Sequence, residues 1–126
     1  MNVYPNGWRK CQIGDIAKIV SGATPKTKIK EYWNGDILWA TPKDLGQMHS
    51  IEISDTERKI TKAGYESCST NLLPPGSVSR APIGHLAINT KPMCTNQGFK
   101  SLIPKDRILV VPTKQCGSII SISYIL

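Results

Sequence analysis

The sequence has few of the features that mark a secreted, membrane-spanning or zinc-binding protein. The start of the chain has no apolar stretch of signal-peptide length, and the longest late apolar segment, residues 119–126, is far shorter than the ~20 residues that cross a bilayer. The four cysteines form no CxxC pair, and with only two histidines the spacing of zinc ligands is absent. We therefore expect a cytoplasmic chain with no membrane partner, no metal and reduced cysteines.

The patterns of common active sites are also missing. Residues 21–30 lack the spacing and the glycines of a nucleotide-binding P-loop. Residues 71–76 suggest the Asn-Pro-Pro-aromatic motif of amino methyltransferases, but two leucines follow Asn71 and the aromatic residue is lacking. There is no glycine-rich cofactor loop after a strand, no Ser-His-Asp arrangement and no cluster of metal-binding carboxylates. The sequence therefore predicts a protein that is not an enzyme and has no cofactor.

Acidic residues are scarce relative to basic ones. The chain has 9 Asp and Glu against 16 Lys and Arg, which gives a net charge of +7 over 126 residues. Such a charge attracts polyanions across a Debye length of about 10 Å. Nucleic acid is therefore the leading candidate partner of what should be one domain with one core.

Short apolar runs separated by turn residues predict a fold built mainly of strands. The runs cover residues 16–20, 37–40, 86–88, 98–103 and 108–111. Two short helices are expected, at residues 28–33, ending at Asn34-Gly35, and at residues 62–68, where Thr61 can cap the first N–H groups. Because neither helix is long enough for a parallel crossover, we predict an α+β domain with a curved, mostly antiparallel sheet, short helices and long loops.

Residues 21–30 form the first candidate binding segment. They carry three lysines and three hydroxyl side chains beside Gly22 and Pro25, which predicts an exposed loop entering a short helix. Lysine neutralises phosphate, and hydroxyls hydrogen-bond the same oxygens. The alternative is a solvated basic turn. Of the nearby aromatic residues, Trp33 and Trp39 are expected to pack in the core, whereas Tyr32 suits either the core or base stacking.

Asn96, Gln97 and Arg80 are the candidate base readers. An Asn or Gln amide pairs a donor with an acceptor and so matches the major-groove edge of adenine, while an Arg guanidinium forks onto guanine. Lys100 follows closely in the chain. The alternative for Asn96 and Gln97 is that their amides satisfy loop backbone groups.

Several motifs occur in the order that is typical of one protein family. The amino-terminal ones are Gly7-Trp8, Ile13-Gly14-Asp15-Ile16, Ser21-Gly22-Ala23-Thr24-Pro25, Tyr32-Trp33-Asn34-Gly35-Asp36-Ile37 and Trp39-Ala40-Thr41-Pro42-Lys43-Asp44-Leu45. They continue with Ile60-Thr61, Leu73-Pro74-Pro75-Gly76-Ser77-Val78, Arg80-Ala81-Pro82-Ile83-Gly84 and Cys94-Thr95-Asn96-Gln97-Gly98-Phe99-Lys100. Over residues 7–104 the chain resembles the amino-terminal target recognition domain of type I restriction-modification specificity subunits.

The resemblance implies a non-catalytic domain that reads one half of a bipartite target in double-stranded DNA. In that family, modification subunits methylate adenine, a restriction subunit cleaves, and a long spacer helix follows the recognition domain. The sequence departs from the family at residues 78–80, where a longer strand is expected, and after Asp106, where an apolar, β-prone tail replaces the helix. We therefore expect a truncated protein, with a recognition-like domain at residues 1–106 and an atypical apolar tail at residues 107–126, which is a truncated or frame-shifted end of the same domain.

Two functional hypotheses follow. The first is sequence-specific DNA binding within a type I complex that includes modification and restriction subunits, with two copies serving a split target. Its expected DNA contacts are Thr24, Lys26, Thr27, Lys28, Tyr32, Lys43, Arg80, Asn96, Gln97 and Lys100. Among them, Lys26, Lys28 and Lys43 are expected to position phosphates. The alternative is a truncated interaction module or remnant that docks on a modification subunit without useful DNA reading.

Overall fold

The computed structural model of the protein describes residues 12–82, 84–105, 109–116 and 119–125. Within these residues the helices are α1 (Ile13–Ile16), α2 (Pro42–Gly46), α3 (Lys62–Glu66) and a 3-10 helix at Lys30–Tyr32. The first five strands are β1 (Ala17–Ser21), β2 (Trp33–Ala40), β3 (Glu52–Ile53), β4 (Arg58–Ile60) and β5 (Val78–Arg80). The remaining strands are β6 (Leu86–Asn89), β7 (Met93–Thr95), β8 (Lys100–Pro104), β9 (Leu109–Cys116) and β10 (Ile119–Ile125). The α+β class predicted from the sequence is confirmed.

The strands are mostly antiparallel, as predicted, but they divide among three sheets instead of forming one. The largest sheet has five strands in the order β1-β8-β5-β6-β3, the second has the order β4-β2-β7, and β9 pairs with β10. The pairs β2–β7 and β3–β6 are parallel. No local pattern predicts these two pairs, because neither is joined by a single crossover helix; several other strands and short helices lie between the paired strands in the chain.

The short strand β5 lies at the centre of the five-stranded sheet. All three of its residues pair on both sides, with β6 and with β8, and the register is unbroken. Ser79 and Ser101 on the neighbouring strands β5 and β8 share a buried hydrogen bond at 2.8 Å between their hydroxyls. The strand that is shorter than the family pattern is therefore fully integrated in the sheet.

Two clusters of buried side chains form the core. One contains Ala40, Leu45, Ile53, Ala81, Ala87, Met93 and Phe99. The other contains Trp33, Trp39, Ile60 and Cys94, with Tyr32, Ile37 and Tyr65 packed against it. Both tryptophans therefore pack in the core, as expected, and their position behind residues 22–29 bears on the candidate site.

The helices follow the sequence signals only in part. Thr61 caps α3 by accepting a hydrogen bond from the Gly64 backbone N–H at 3.1 Å, as predicted. The helix expected at residues 28–33 is reduced to the 3-10 turn, because Trp33 begins β2 and its side chain is buried. α2 was not predicted, although Thr41 and Asp44 form a capping box at its start. Ile16 ends α1 instead of beginning a strand.

Asn34 and Gly35 form an irregularity inside β2 instead of a turn between two elements. Trp33 and Ile37 both lie opposite Ile60 of β4, so the intervening residues bulge out of register. Asn34 adopts a positive φ of 63°. A Cβ on Gly35 would lie 2.5 Å from the Ile60 carbonyl oxygen, so only glycine fits this close approach. The bulge lets one strand carry both tryptophans.

The carboxyl-terminal segment forms a hairpin. β9 and β10 pair antiparallel, with Leu109 opposite Ile125 at one end and Cys116 opposite Ile119 at the other. The register shifts between Ser121 and Ile122. The β propensity expected for residues 107–126 is thus confirmed where the segment is described. The proposed domain boundary at residue 106 stays a prediction.

Candidate nucleic-acid interface

The lysine loop, which we define as residues 22–29, is held from behind by the two core tryptophans. The Trp39 indole N–H donates to the Ala23 carbonyl oxygen at 3.0 Å, and the Trp33 indole N–H donates to the Lys26 carbonyl oxygen at 3.2 Å. Pro25 is fully buried. The backbone of the loop is therefore fixed, while Lys26, Thr27 and Lys28 stay exposed. Neither of these lysines forms an ion pair with any described carboxylate.

Arg58 packs against both tryptophan rings. The two rings pack edge to face with centroids 5.0 Å apart. The Arg58 guanidinium lies 3.8 Å from the centroid of Trp33 and 5.4 Å from that of Trp39. This geometry is a cation–π contact, which steadies the indoles that hold the lysine loop. Tyr32 is half-buried against the same cluster, so its side chain has both packing contacts and an open edge.

The amide turn, which we define as residues 96–99, differs between its two amide side chains. Asn96 is half-buried, and its Oδ1 accepts a hydrogen bond from the Gly98 backbone N–H at 3.1 Å. Asn96 thus satisfies a loop backbone group, which was the alternative open to both amides. Gln97 is exposed, and its Oε1 accepts a hydrogen bond from the Thr24 hydroxyl. Phe99 is fully buried and anchors the turn on the core.

The lysine loop and the amide turn are one structural unit. The Ala23 backbone N–H donates to the Thr95 carbonyl oxygen at 3.1 Å. A Cβ on Gly22 would lie 2.1 Å from the Asn96 carbonyl oxygen and 2.3 Å from that of Thr95, so glycine is required for this contact. The side-chain bond between Thr24 and Gln97 adds a further link. Exposed lysines and an exposed amide are therefore held in a fixed relation to each other.

Arg80 and Lys100 lie beside this unit at the end of the five-stranded sheet. They face each other across β5 and β8. The Lys100 ammonium donates to the Ser21 hydroxyl at 2.6 Å. Arg80 is half-buried, and its Nε is buried with no hydrogen-bond partner in the part of the chain that the structure describes.

Lys43 belongs to a different surface. It lines an open cavity of about 570 Å³ together with Asp44, Glu52, Asp55 and Glu57. We call this the acidic cavity. The Lys43 ammonium lies 3.1 Å from a carboxylate oxygen of Glu57. The expectation that Lys43 positions a phosphate stays a prediction, now with a carboxylate as a competing partner.

Sequence reasoning missed two residues that shape this interface. The Asn71 amide donates to the Ser21 carbonyl oxygen at 3.0 Å, which holds the chain where β1 leads into the lysine loop. Arg58 supports the tryptophans. Neither residue has a local sequence signal, because each acts on a segment more than one element away. The likeness of residues 71–76 to a methyltransferase motif is thus unrelated to the role of Asn71 here.

The described part of the chain contains neither a metal-ligand cluster nor a helix that could span a membrane. Residues 12–82, 84–105, 109–116 and 119–125 contain no group of three or more His, Cys, Asp or Glu side chains arranged to hold a metal ion. In the same residues, no helix has the length and apolar character needed to span a membrane.

Comparison with known proteins places the chain in a family. Residues 5–114 match the type I restriction modification DNA specificity domain. Over 108 residues the chain is 49% identical to the type I restriction enzyme MjaIX specificity subunit of Methanocaldococcus jannaschii, covering 83% of this chain and 25% of that protein. It is 32% identical over 106 residues to the EcoR124I/EcoR124II specificity subunit of Escherichia coli, covering 78% of this chain and 26% of that protein.

A solved structure agrees on the fold. The HsdS subunit from Thermoanaerobacter tengcongensis superposes with a TM-score of 0.58 at 22% identity, over 84% of this chain and 26% of that one. The chain therefore spans about a quarter of the length of the relatives that it matches. Because the family match covers most of its residues, the chain belongs to the type I restriction modification DNA specificity domain family.

Proposed function

We propose that this chain binds DNA sequence-specifically through the surface formed by the lysine loop and the amide turn. The observation that carries the proposal is the fixed coupling of exposed, unpaired lysines to an exposed amide through Gly22, Ala23 and the Thr24–Gln97 bond. A preorganised surface of this kind suits recognition because few side chains must be ordered on binding. Membership of a DNA specificity family supports the same function.

The roles of the side chains divide by chemistry. Lys26 and Lys28 are exposed cations that neutralise phosphates without reading sequence. Gln97 is the base reader. Its Oε1 keeps one free lone pair after accepting from Thr24, and its Nε2 keeps both protons, which suffices for a bidentate contact with adenine. Asn96 acts within the turn, because it is half-buried and its Oδ1 accepts the hydrogen bond of the Gly98 N–H.

Similarity to proteins named specificity subunits of restriction enzymes supports finer points of the proposal as well. We propose that the chain reads one half of a bipartite double-stranded target and performs no catalysis itself. Modification and restriction subunits supply the chemistry, in the cytoplasm. A split target needs two recognition domains, so two copies of this chain are expected on one DNA. Light scattering of the chain with and without its target measures that stoichiometry.

The experiment that tests the proposal is a salt titration of the purified chain with a randomised DNA pool, followed by sequencing of the DNA that stays bound at raised salt. Enrichment of a short motif supports sequence reading. Binding that disappears with salt and enriches no motif contradicts it, because non-specific binding is almost wholly electrostatic.

Two single variants then test the division of roles. Lys26→Ala should weaken binding to all sequences and lower the slope of log K against log salt by about 0.9. Gln97→Ala should leave that slope unchanged and reduce discrimination at one base pair by about 1–3 kcal/mol. Thr24→Val removes the hydroxyl that bonds to Gln97 and keeps the shape of the side chain. It should reduce discrimination at that base pair by less than Gln97→Ala does. Equal losses on every sequence from Lys26→Ala and Gln97→Ala would contradict the division.

The acidic cavity favours a second candidate function, docking on a modification subunit without DNA. Its carboxylates repel a polyanion, so this surface suits a protein partner with basic side chains. Capture of a purified type I modification subunit in the absence of DNA, lost in a Glu52→Lys variant but kept in Lys26→Ala, would support it. Capture that depends on Lys26 instead would point to simple charge attraction.

A further inference from the structure

Polar side chains form a row across the end of the five-stranded sheet, where β1 leads into the lysine loop. Ser21 of β1 lies opposite Lys100 of β8, and Lys100 lies opposite Arg80 of β5. Directly opposite residues of antiparallel strands share a face, with Cβ atoms about 4.5–5.5 Å apart. The hydrogen bond of 2.6 Å from the Lys100 ammonium to the Ser21 hydroxyl agrees with this placement. We call Ser21, Lys100 and Arg80 the cationic row.

Arg80 and Lys100 have no carboxylate partner in the described part of the chain. The Nε of Arg80 is buried and has no hydrogen-bond partner among those residues. Like charges directly opposite each other in a sheet are destabilising. An anion bound near both cations would therefore lower the cost of placing Arg80 opposite Lys100.

We propose that the cationic row binds one phosphate group of the DNA backbone. The terminal nitrogens of the Arg80 guanidinium match two phosphate oxygens in a fork, Lys100 adds a second positive charge, and the Ser21 hydroxyl can donate a hydrogen bond. The inference rests on the proposed DNA binding and deepens it. In this proposal Arg80 binds the DNA backbone, whereas the sequence analysis predicted that it reads guanine.

The position of the row explains what such a contact does. Lys100 directly follows the amide turn, and Ser21 directly precedes the lysine loop. A phosphate bound by Lys100 and Ser21 therefore fixes the position of the DNA backbone relative to Gln97, because backbone contacts set the register of base contacts.

The first variant to make is Lys100→Gln, which removes the charge and keeps a donor for the Ser21 hydroxyl. Removing one of two like charges on directly opposite residues should raise Tm by about 2–4 °C. The same change should weaken binding to every DNA sequence by a similar factor and lower the salt slope by about 0.9. Opposite effects on stability and on DNA affinity are not expected of a merely structural lysine.

The matched control is Lys18→Gln. Lys18 is an exposed lysine on β1, and the residue directly opposite it is Ile103 and not a cation. This variant should leave Tm unchanged. A Tm that rises equally in both variants would mean that lowering the net charge, and not the cationic row, is responsible.

Inorganic phosphate provides a test that needs no DNA. At constant ionic strength, replacing chloride by phosphate should raise the Tm of the natural chain, while Lys100→Gln and Arg80→Gln should abolish the response and Arg80→Lys should keep part of it. An equal response in all variants would overturn the inference. If the natural chain enriches a DNA motif but Lys100→Gln keeps its salt slope, the cationic row fails and the proposed function stands. If the phosphate response depends on the row but no motif is enriched, the anion site stands and sequence reading fails.

Discussion

The lysine loop and the acidic cavity both carry lysines, but the lysines have different partners. Lys26 and Lys28 have no carboxylate partner among the described residues. Beside the acidic cavity, Lys43 pairs with Glu57 at 3.1 Å and Lys59 pairs with Asp55 at 3.3 Å. On electrostatic grounds, a surface whose lysines lack carboxylate partners attracts a polyanion more strongly than a surface whose lysines are paired.

The acidic cavity favours the ionised form of one of its carboxylates, Asp55. The pKa of Asp55 is lowered, first by a hydrogen bond from the Thr56 backbone and then by the Lys59 ammonium. Asp44 accepts hydrogen bonds from the Thr41 backbone N–H at 2.8 Å and from the Glu57 backbone N–H at 3.0 Å. The lowered pKa of Asp55 favours its ionised form, and the cavity is lined by more carboxylates than lysines, so this surface repels phosphate.

The largest effect is expected from detaching the amide turn from the core. Phe99→Ala removes a fully buried ring and should lower the free energy of unfolding by about 3–5 kcal/mol. Leu72→Ala, at a side chain that is 43% exposed, is the control and should change it by less than about 0.5 kcal/mol. Chemical denaturation measures both. Similar losses in the two variants would mean that the turn is not anchored through Phe99.

A smaller effect should follow from breaking the acidic cavity. Asp44→Ala removes the acceptor of two backbone N–H groups and of the Thr41 hydroxyl. Because these bonds involve a charged acceptor, the loss should be about 1.5–3 kcal/mol in the free energy of unfolding. DNA affinity at a fixed temperature below melting should be unchanged or slightly higher. A marked loss of affinity would place the acidic cavity at the DNA.

The comparison itself is tested by paired lysine variants. Replacing Lys26 and Lys28 together with alanine should lower the salt slope of DNA binding by about 0.9 for each lysine. Replacing Lys43 and Lys59 together should lower it less, because their charges are already balanced by Glu57 and Asp55. The two double variants have the same net charge, so each controls for the other. A larger slope change from the second pair would confirm the sequence-based role of Lys43.

A further effect, confined to alkaline pH, concerns Cys94, in the core cluster behind the lysine loop. Burial raises the pKa of its thiol from 9.0 to about 11. A raised folded pKa means that stability is fully present below pH 9.0 and is lost as the pH rises through about 11. Thermal melting across this range should show a steeper decline for the natural chain than for Cys94→Ala. Parallel declines would mean that lysine deprotonation alone is responsible.

The parts of the fold that depend on neighbouring residues could be predicted from the sequence. The cap at Thr61 and the strand at residues 86–89 follow from residue type and spacing. The 3-10 turn at Lys30–Tyr32 was predicted as a longer helix, because the burial of Trp33 in a distant cluster outweighs helix propensity. The parallel pairing of β2 with β7 had no local signal at all.

The sequence by itself determined the family, the α+β class and the segments that carry lysines, hydroxyls and amides, because motif order and residue chemistry are local properties. Only the tertiary structure decided how these side chains differ. In the folded chain Asn96 is half-buried and bonded to the Gly98 backbone, whereas Gln97 is exposed. Lys43 forms an ion pair with Glu57, and Arg80 lies opposite Lys100. Such differences arise from contacts between segments far apart in the chain, and no local pattern encodes which partner a charge or an amide will meet.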